Sequence, residues 1–162
     1  MIKPGFLKYD DPGKQERYDR AYLRMALEWG KLSHCDRRQV GAIIVKEGTI
    51  IADGYNGTPT GFPNVCEDEN YETHWYVLHA EANAIMHCAI LGIEAGSSNA
   101  ILYTTFVPCL ECTKMAITIG IKKVVCLDTY PETDYDLIKE AGIEVITLDK
   151  NRIQKKPKSP KK

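Results

Sequence analysis

Three helix-length segments in the second half of the chain each stop at a glycine. Each is followed by a short apolar run rich in β-branched residues. His79 to Leu91 reads as a helix ending near Gly92, with Ala100 to Thr105 as the strand after it. Pro108 opens a helix that runs to about Ile119 and stops at Gly120, and Lys123 to Leu127 reads as a buried strand. Thr133 to Ala141 is a helix ended by Gly142, and Ile143 to Leu148 is a last strand. Proline at a helix start and glycine at a helix end match the preferences of those positions. Strands that alternate with helices imply a partly parallel sheet with helices packed on it.

The first half adds a helix and a hairpin. A helix is expected from about Gln15 to Leu32, where Tyr18, Ala21, Tyr22, Met25, Ala26 and Trp29 form one apolar stripe. Val40 to Val45 is a short β-branched run, Lys46-Glu47-Gly48-Thr49 a hairpin turn, and Ile50 to Tyr55 the returning strand. Asn56 to Thr73 is rich in Gly, Pro, Asn and acidic residues and has little periodicity. Loops of that length in a compact domain are usually functional.

Charge divides the chain unevenly. Residues 1–149 hold 14 basic and 22 acidic side chains, a net of −8, while residues 150–162 hold seven basic and none acidic. The expected organisation is a lead-in over 1–14, one domain over 15–149, and a basic, disordered tail over 150–162. An acidic body argues against a scaffold that tracks nucleic acid by charge. No apolar run approaches the roughly 18 residues a membrane helix needs. The first residues contain no apolar signal segment, so a cytoplasmic, reducing setting is expected. Six cysteines in such a setting are ligands, nucleophiles or small core residues more often than disulfides.

Two helix starts carry the chemistry. His79-Ala80-Glu81 opens one, and Pro108-Cys109-Leu110-Glu111-Cys112 opens the other. Cys109 and Cys112 are three residues apart, so their sulfurs share a helix face. A helix N-terminus lowers a thiol's pKa and favours the thiolate a metal binds. Two thiolates and an imidazole supply three ligands of a tetrahedral zinc and leave the fourth position open. Glu81 then stands beside the metal, able to move protons. Either motif alone is weak: Cys-x-x-Cys also suits a redox pair or half a structural zinc site.

Together, these motifs resemble the zinc-dependent cytidine and deoxycytidylate deaminase superfamily. The likeness covers about residues 15–148 and is greatest to deoxycytidylate (dCMP) deaminases. It is carried by Cys35-Asp36-Arg37-Arg38-Gln39-Val40-Gly41-Ala42, by Gly54-Tyr55-Asn56-Gly57-Thr58-Pro59, and by His79-Ala80-Glu81-Ala82-Asn83-Ala84. The resemblance implies a three-layer α-β-α fold around a central five-stranded mixed sheet. It implies hydrolytic deamination of dCMP to dUMP and ammonia by a zinc-activated water, with dUMP feeding thymidylate synthesis. Carried over by position, His79, Cys109 and Cys112 hold Zn2+ and Glu81 is the proton shuttle. The Ala80 N–H binds the pyrimidine carbonyl and Asn56 contacts the deoxyribose. Arg37 and Tyr130 are the candidates for the 5′-phosphate.

Further expectations come with the same likeness. Cys35, Cys66 and His74 could hold a second, structural zinc, with His34 as a further ligand; the alternative is two ordinary cysteines and a surface histidine. Cys88 and Cys126 read as core. Trp75 and Tyr76 could line a base pocket or cover the core. The resemblance implies a homo-oligomer, hexamers included, with dCTP and dTTP as effectors. Some members carry an aromatic near position 87 and an arginine near position 90, linked to subunit contacts and regulation; this chain has His87 and Ile90 instead. Two rival readings remain: a deaminase of another cytosine or adenine nucleoside or nucleotide, tRNA included, and an inactive zinc-stabilised binding module.

Overall fold

The computed structural model describes residues 12–93, 99–128 and 135–154. In chain order the elements are α1 (Pro12–Gly30), β1 (Gly41–Lys46), β2 (Thr49–Tyr55), α2 (Ala80–Ile90), β3 (Ile101–Phe106), α3 (Leu110–Thr118), β4 (Lys123–Asp128), α4 (Tyr135–Glu140), β5 (Glu144–Thr147) and α5 (Lys150–Ile153). The five strands form one sheet in the order β2-β1-β3-β4-β5. β1 runs antiparallel to both β2 and β3, while β3, β4 and β5 are parallel. This is the mixed sheet expected from a hairpin followed by β-α-β alternation. No described helix is long and apolar enough to cross a membrane.

Strand alternation explains the layers. Successive side chains of a strand point to opposite faces. Ala42, Ile44, Leu102, Val124 and Cys126 join Ala80, Ala84, Ile85, Ala116 and Ile138 in one core cluster. Ile43, Val45, Tyr103, Val125 and Leu127 join Leu23, Ala26 and Ile153 in the other. The first cluster packs α2, α3 and α4 on one face, and the second packs α1 and α5 on the opposite face. β1 sits between two strands with five of its six residues buried, which is why its sequence is a continuous apolar run. The hairpin turn holds Glu47 and Gly48 at φ 50 and 76, a pairing suited to a two-residue turn.

Two boundaries differ from expectation. Pro12, placed in the lead-in by its company of Gly and Pro, is the first residue of α1; proline costs nothing in the first helical turn, where its missing N–H has no acceptor. Lys150–Ile153 is a helical turn rather than the start of a free tail. Ile153 is fully buried against α1, and its carbonyl accepts from Arg24 Nη1 at 2.8 Å. One apolar side chain among seven basic ones was enough to anchor that segment.

One close approach positions the functional half. A Cβ on Gly54 would stand 2.4 Å from the Ala80 carbonyl oxygen and 2.5 Å from the Ala84 nitrogen. β2 therefore packs directly on the α2 backbone, and only glycine fits there. The contact fixes α2, with the residues at its start, against the sheet.

Candidate active site

Both metal-ligand motifs meet at one end of the sheet. His79 is the N-cap of α2, and Cys109 is the N-cap of α3, each with extended backbone. His79 and Cys109 therefore sit just before their helices, which start at Ala80 and Leu110 and not at the expected His79 and Pro108. Cys112 lies in the first turn of α3 and is 1% exposed. Cys109 Sγ is 3.3 Å and Cys112 Sγ 3.6 Å from His79 Nδ1. The three ligand atoms all lie within 4.8 Å of one another. A tetrahedral zinc with ordinary Zn–S and Zn–N bonds separates sulfur from nitrogen by about 3.6 Å. The donor set and its spacing fit zinc.

The electrostatics favour a cation there. Cys109 is drawn well below the usual thiol range, first by a hydrogen bond from Cys112 and then by His79. Cys112 is pushed up, chiefly by that same hydrogen bond with Cys109. The two sulfurs and the imidazole are thus hydrogen-bonded to one another. His79 is raised, mainly through its hydrogen bond to Cys109. A divalent cation resolves this crowding by displacing the shared protons.

Glu81, in the first turn of α2, is 4% exposed. Burial pushes its carboxyl above the usual range, against a hydrogen bond from Thr104. Thr104 Oγ1 donates to Glu81 Oε1 at 2.6 Å.

A cavity of about 530 Å³ opens onto these groups, lined among others by Arg37, Arg38, Asn56, Glu67, Ala80 and Glu81. Ala80 is the first residue of α2, so its N–H has no acceptor within the helix. The Asn56 side chain ties the end of β2 to the segment just before β1: Nδ2 donates to the Arg38 carbonyl at 2.8 Å, and Oδ1 accepts from the Val40 N–H at 2.8 Å. An amide retains one more N–H and one more lone pair beyond those bonds. Arg37 lies on the cavity wall, with Nη1 3.4 Å from Thr73 Oγ1. Tyr130 falls outside the described residues.

Cys35 and Cys66 are brought together, as a disulfide. Sulfurs joined in this way offer no thiolate to a metal, so a second zinc on Cys35, Cys66 and His74 would require that bond to be open. His74 stacks on Tyr76 with ring centroids 4.9 Å apart, and His34 is exposed. In this structure a covalent tie joins the long loop to the chain before β1, and the other four cysteines are free of disulfides. Cys88 and Cys126 are buried, as core residues. Trp75 is 91% exposed, and Val77, not either aromatic, reaches the cavity.

Three residues were missed by reading the sequence. Arg38 stands 5.3 Å over the Phe106 ring and lines the cavity beside Arg37; the Arg-Arg pair was visible but only one was singled out. Glu67 accepts from the N–H groups of Asp36 and Arg37 at 3.1 and 3.2 Å, fastening the loop to the chain before β1. No local pattern announces a contact across 30 residues. Thr104 was readable as the one hydroxyl between Leu102 and Phe106 on its strand face.

Among the described residues three protein ligands converge, and a tetrahedral zinc held by them would keep one position open, as in catalytic rather than structural zinc sites. Residues 16–128 match the cytidine and deoxycytidylate deaminase zinc-binding region, and the chain belongs to that family. It is 33% identical over 145 residues to a deoxycytidylate deaminase of Saccharomyces cerevisiae, covering 83% of this chain and 46% of that protein. It is 30% identical to the deoxycytidylate deaminase of Enterobacteria phage T4, covering 82% of this chain and 91% of the phage protein. Among solved structures, the dCMP deaminase of cyanophage S-TIM5, in complex with dCMP and dUMP, superposes with a TM-score of 0.77. That match has 39% identity and covers 85% of this chain and 98% of the other. The chain spans about half the length of the yeast relatives.

Proposed function

We propose that this protein converts dCMP to dUMP and ammonia by hydrolysis. The observation that carries the reading is one cavity whose wall includes His79, Glu81 and Cys109 together with Arg37 and Arg38. A deaminase of free bases has no use for two guanidinium groups at that wall, whereas a 5′-phosphate does. Likeness to the phage enzyme bound to dCMP and dUMP supports the same substrate.

The residues divide the work. The Ala80 N–H receives the ring carbonyl, and the spare amide capacity of Asn56 receives the sugar hydroxyl. Arg37 receives the phosphate, with Tyr130 as its proposed partner. A zinc ion held by His79, Cys109 and Cys112 supplies the Lewis acidity that makes water nucleophilic near neutral pH. Glu81 accepts one proton from the attacking water and delivers it to ring N3, while the water oxygen bonds to C4. The same carboxylate then carries the second water proton to the amino group. The C4–N bond breaks, ammonia leaves, and the ring is left as uracil.

Ammonia release from dCMP, CMP, deoxycytidine, cytosine and an adenosine-bearing tRNA stem-loop tests the reading. dCMP should exceed deoxycytidine in kcat/KM by on the order of 100-fold, the worth of two charge-assisted contacts. Arg37→Ala should remove about tenfold of that and leave deoxycytidine turnover in place. Equal rates on dCMP and deoxycytidine in the unaltered protein would sink the phosphate assignment.

The same proposal includes a cytoplasmic homo-oligomer; dCTP and dTTP are its candidate effectors, although His87 and Ile90 depart from the residues linked to that regulation. Ile90 at the end of α2 and Leu91 capping it are 78% and 66% exposed, and Ile50 on the edge strand is 37% exposed. They form an apolar patch of the kind that subunit contacts cover. Sedimentation should show an assembly larger than one chain; a monomer at micromolar concentration removes this part.

A further inference from the structure

Thr104 places a hydroxyl where packing alone calls for a methyl. Its side chain lies on the sheet face of Leu102, Val124, Cys126 and Ala42, which otherwise presents apolar groups to α2 and α3. It is 0% exposed. Valine has the same shape, favours strands, and brings no polar group to satisfy. A buried hydroxyl is unfavourable unless it is hydrogen-bonded. The bond made here goes, at 2.6 Å, to Oε1 of Glu81, a residue that is itself only 4% exposed.

Thr104 is also among the least movable points of the fold. It pairs with Ala42 of β1 on one side and Cys126 of β4 on the other, at the centre of the sheet. Glu81 is on a helix with three rotatable side-chain bonds. Proton transfer needs the carboxylate at hydrogen-bond distance and in line for two different partners in turn. A carboxylate free to rotate about its last bond would lose that alignment between the two transfers.

We infer that Thr104 is a positioning residue: it anchors Glu81 Oε1 to the sheet and leaves Oε2 as the oxygen that carries protons. The inference rests on the deaminase reading, because only there does Glu81 have two transfers to make. Glu81 is thus held by a strand of the sheet as well as by its own helix. The register of β3 against β1 and β4 enters the geometry of the reaction.

The test uses the full-length, zinc-loaded protein as Thr104→Val and Thr104→Ser. T104V should lower kcat for dCMP by about 10- to 100-fold, with KM within about twofold and one zinc retained. T104S, which restores the hydroxyl, should recover most of that loss. A crystal structure of T104V should show the Glu81 carboxylate in more than one rotamer. Wild-type kcat in T104V, no recovery in T104S, or a single unchanged Glu81 rotamer would overturn the inference. If the unaltered protein ignores dCMP and acts on another cytosine compound, the substrate reading fails. The variant ratios are then read on that compound. If it acts on none, the rotamer in T104V decides.

Discussion

Glu81→Gln should bind one zinc per chain, melt at or above the temperature of the unaltered protein, and release ammonia from dCMP at least about 1000-fold more slowly. The rate effect is large because one carboxylate serves both proton transfers, and general acid–base catalysis is worth about 10²- to 10⁴-fold. Glutamine has the same size and offers a carbonyl oxygen, so the Thr104 hydroxyl keeps an acceptor. Its amide neither takes a proton from water nor gives one to the leaving amine. Stability should not fall, because the carboxyl is buried and burial is the main cause of its raised pKa. A neutral amide avoids the desolvation that a carboxylate meets there. Ammonia release above about 1% of the normal rate would remove Glu81 from the role of shuttle.

Cys112→Ser should lose both metal and turnover. Cys112 is 1% exposed and shares a hydrogen bond with Cys109, so it is the ligand set deepest in the protein. Serine is a poor zinc ligand, and the two that remain cannot hold the ion in competition with water. Activity should fall by on the order of 10³-fold or more, since activation of water depends on the ion. Metal analysis should read one zinc for the unaltered chain and close to none for the variant. Thiol titration of the unfolded, metal-free chain should count four free thiols, the other two being joined as Cys35–Cys66. Two zinc ions and six thiols would restore the second metal site in place of the disulfide. Full zinc in C112S would displace Cys112 from the ligand set.

Much of the fold was written in local signals. Gly120, with φ 87, ends α3 where the sequence places the stop, because a left-handed residue is what closes that helix. The short β-branched run at Val40–Val45 reads as a strand, and as β1 it lies second in the sheet. His79, Glu81, Cys109 and Cys112 were legible for a chemical reason: few other roles need those types at two helix starts. What escaped was long-range. Glu67 bonds to Asp36 and Arg37, and Thr104 to Glu81, across 31, 30 and 23 positions. Neither spacing repeats a helical or strand period, so no pattern points to the partner. The pairing of Cys35 with Cys66 failed on compartment: a rule about reducing conditions outweighed the possibility of a bond that proximity allows.

The two caps that carry the zinc ligands belong to different helices, with His79 and Cys109 30 positions apart and β3 between them. An ion held there joins two pieces of the chain that otherwise meet through packing and the weak sulfur–imidazole contacts of His79 with Cys109 and Cys112. Folding and metal supply are therefore linked by mass action: each tenfold rise in free zinc above the dissociation constant adds about 1.4 kcal/mol to the folded state. The amount of this protein that survives in a cell becomes a function of that cell's zinc economy. Metal starvation would thin the population of folded molecules as well as leave the remaining ones idle.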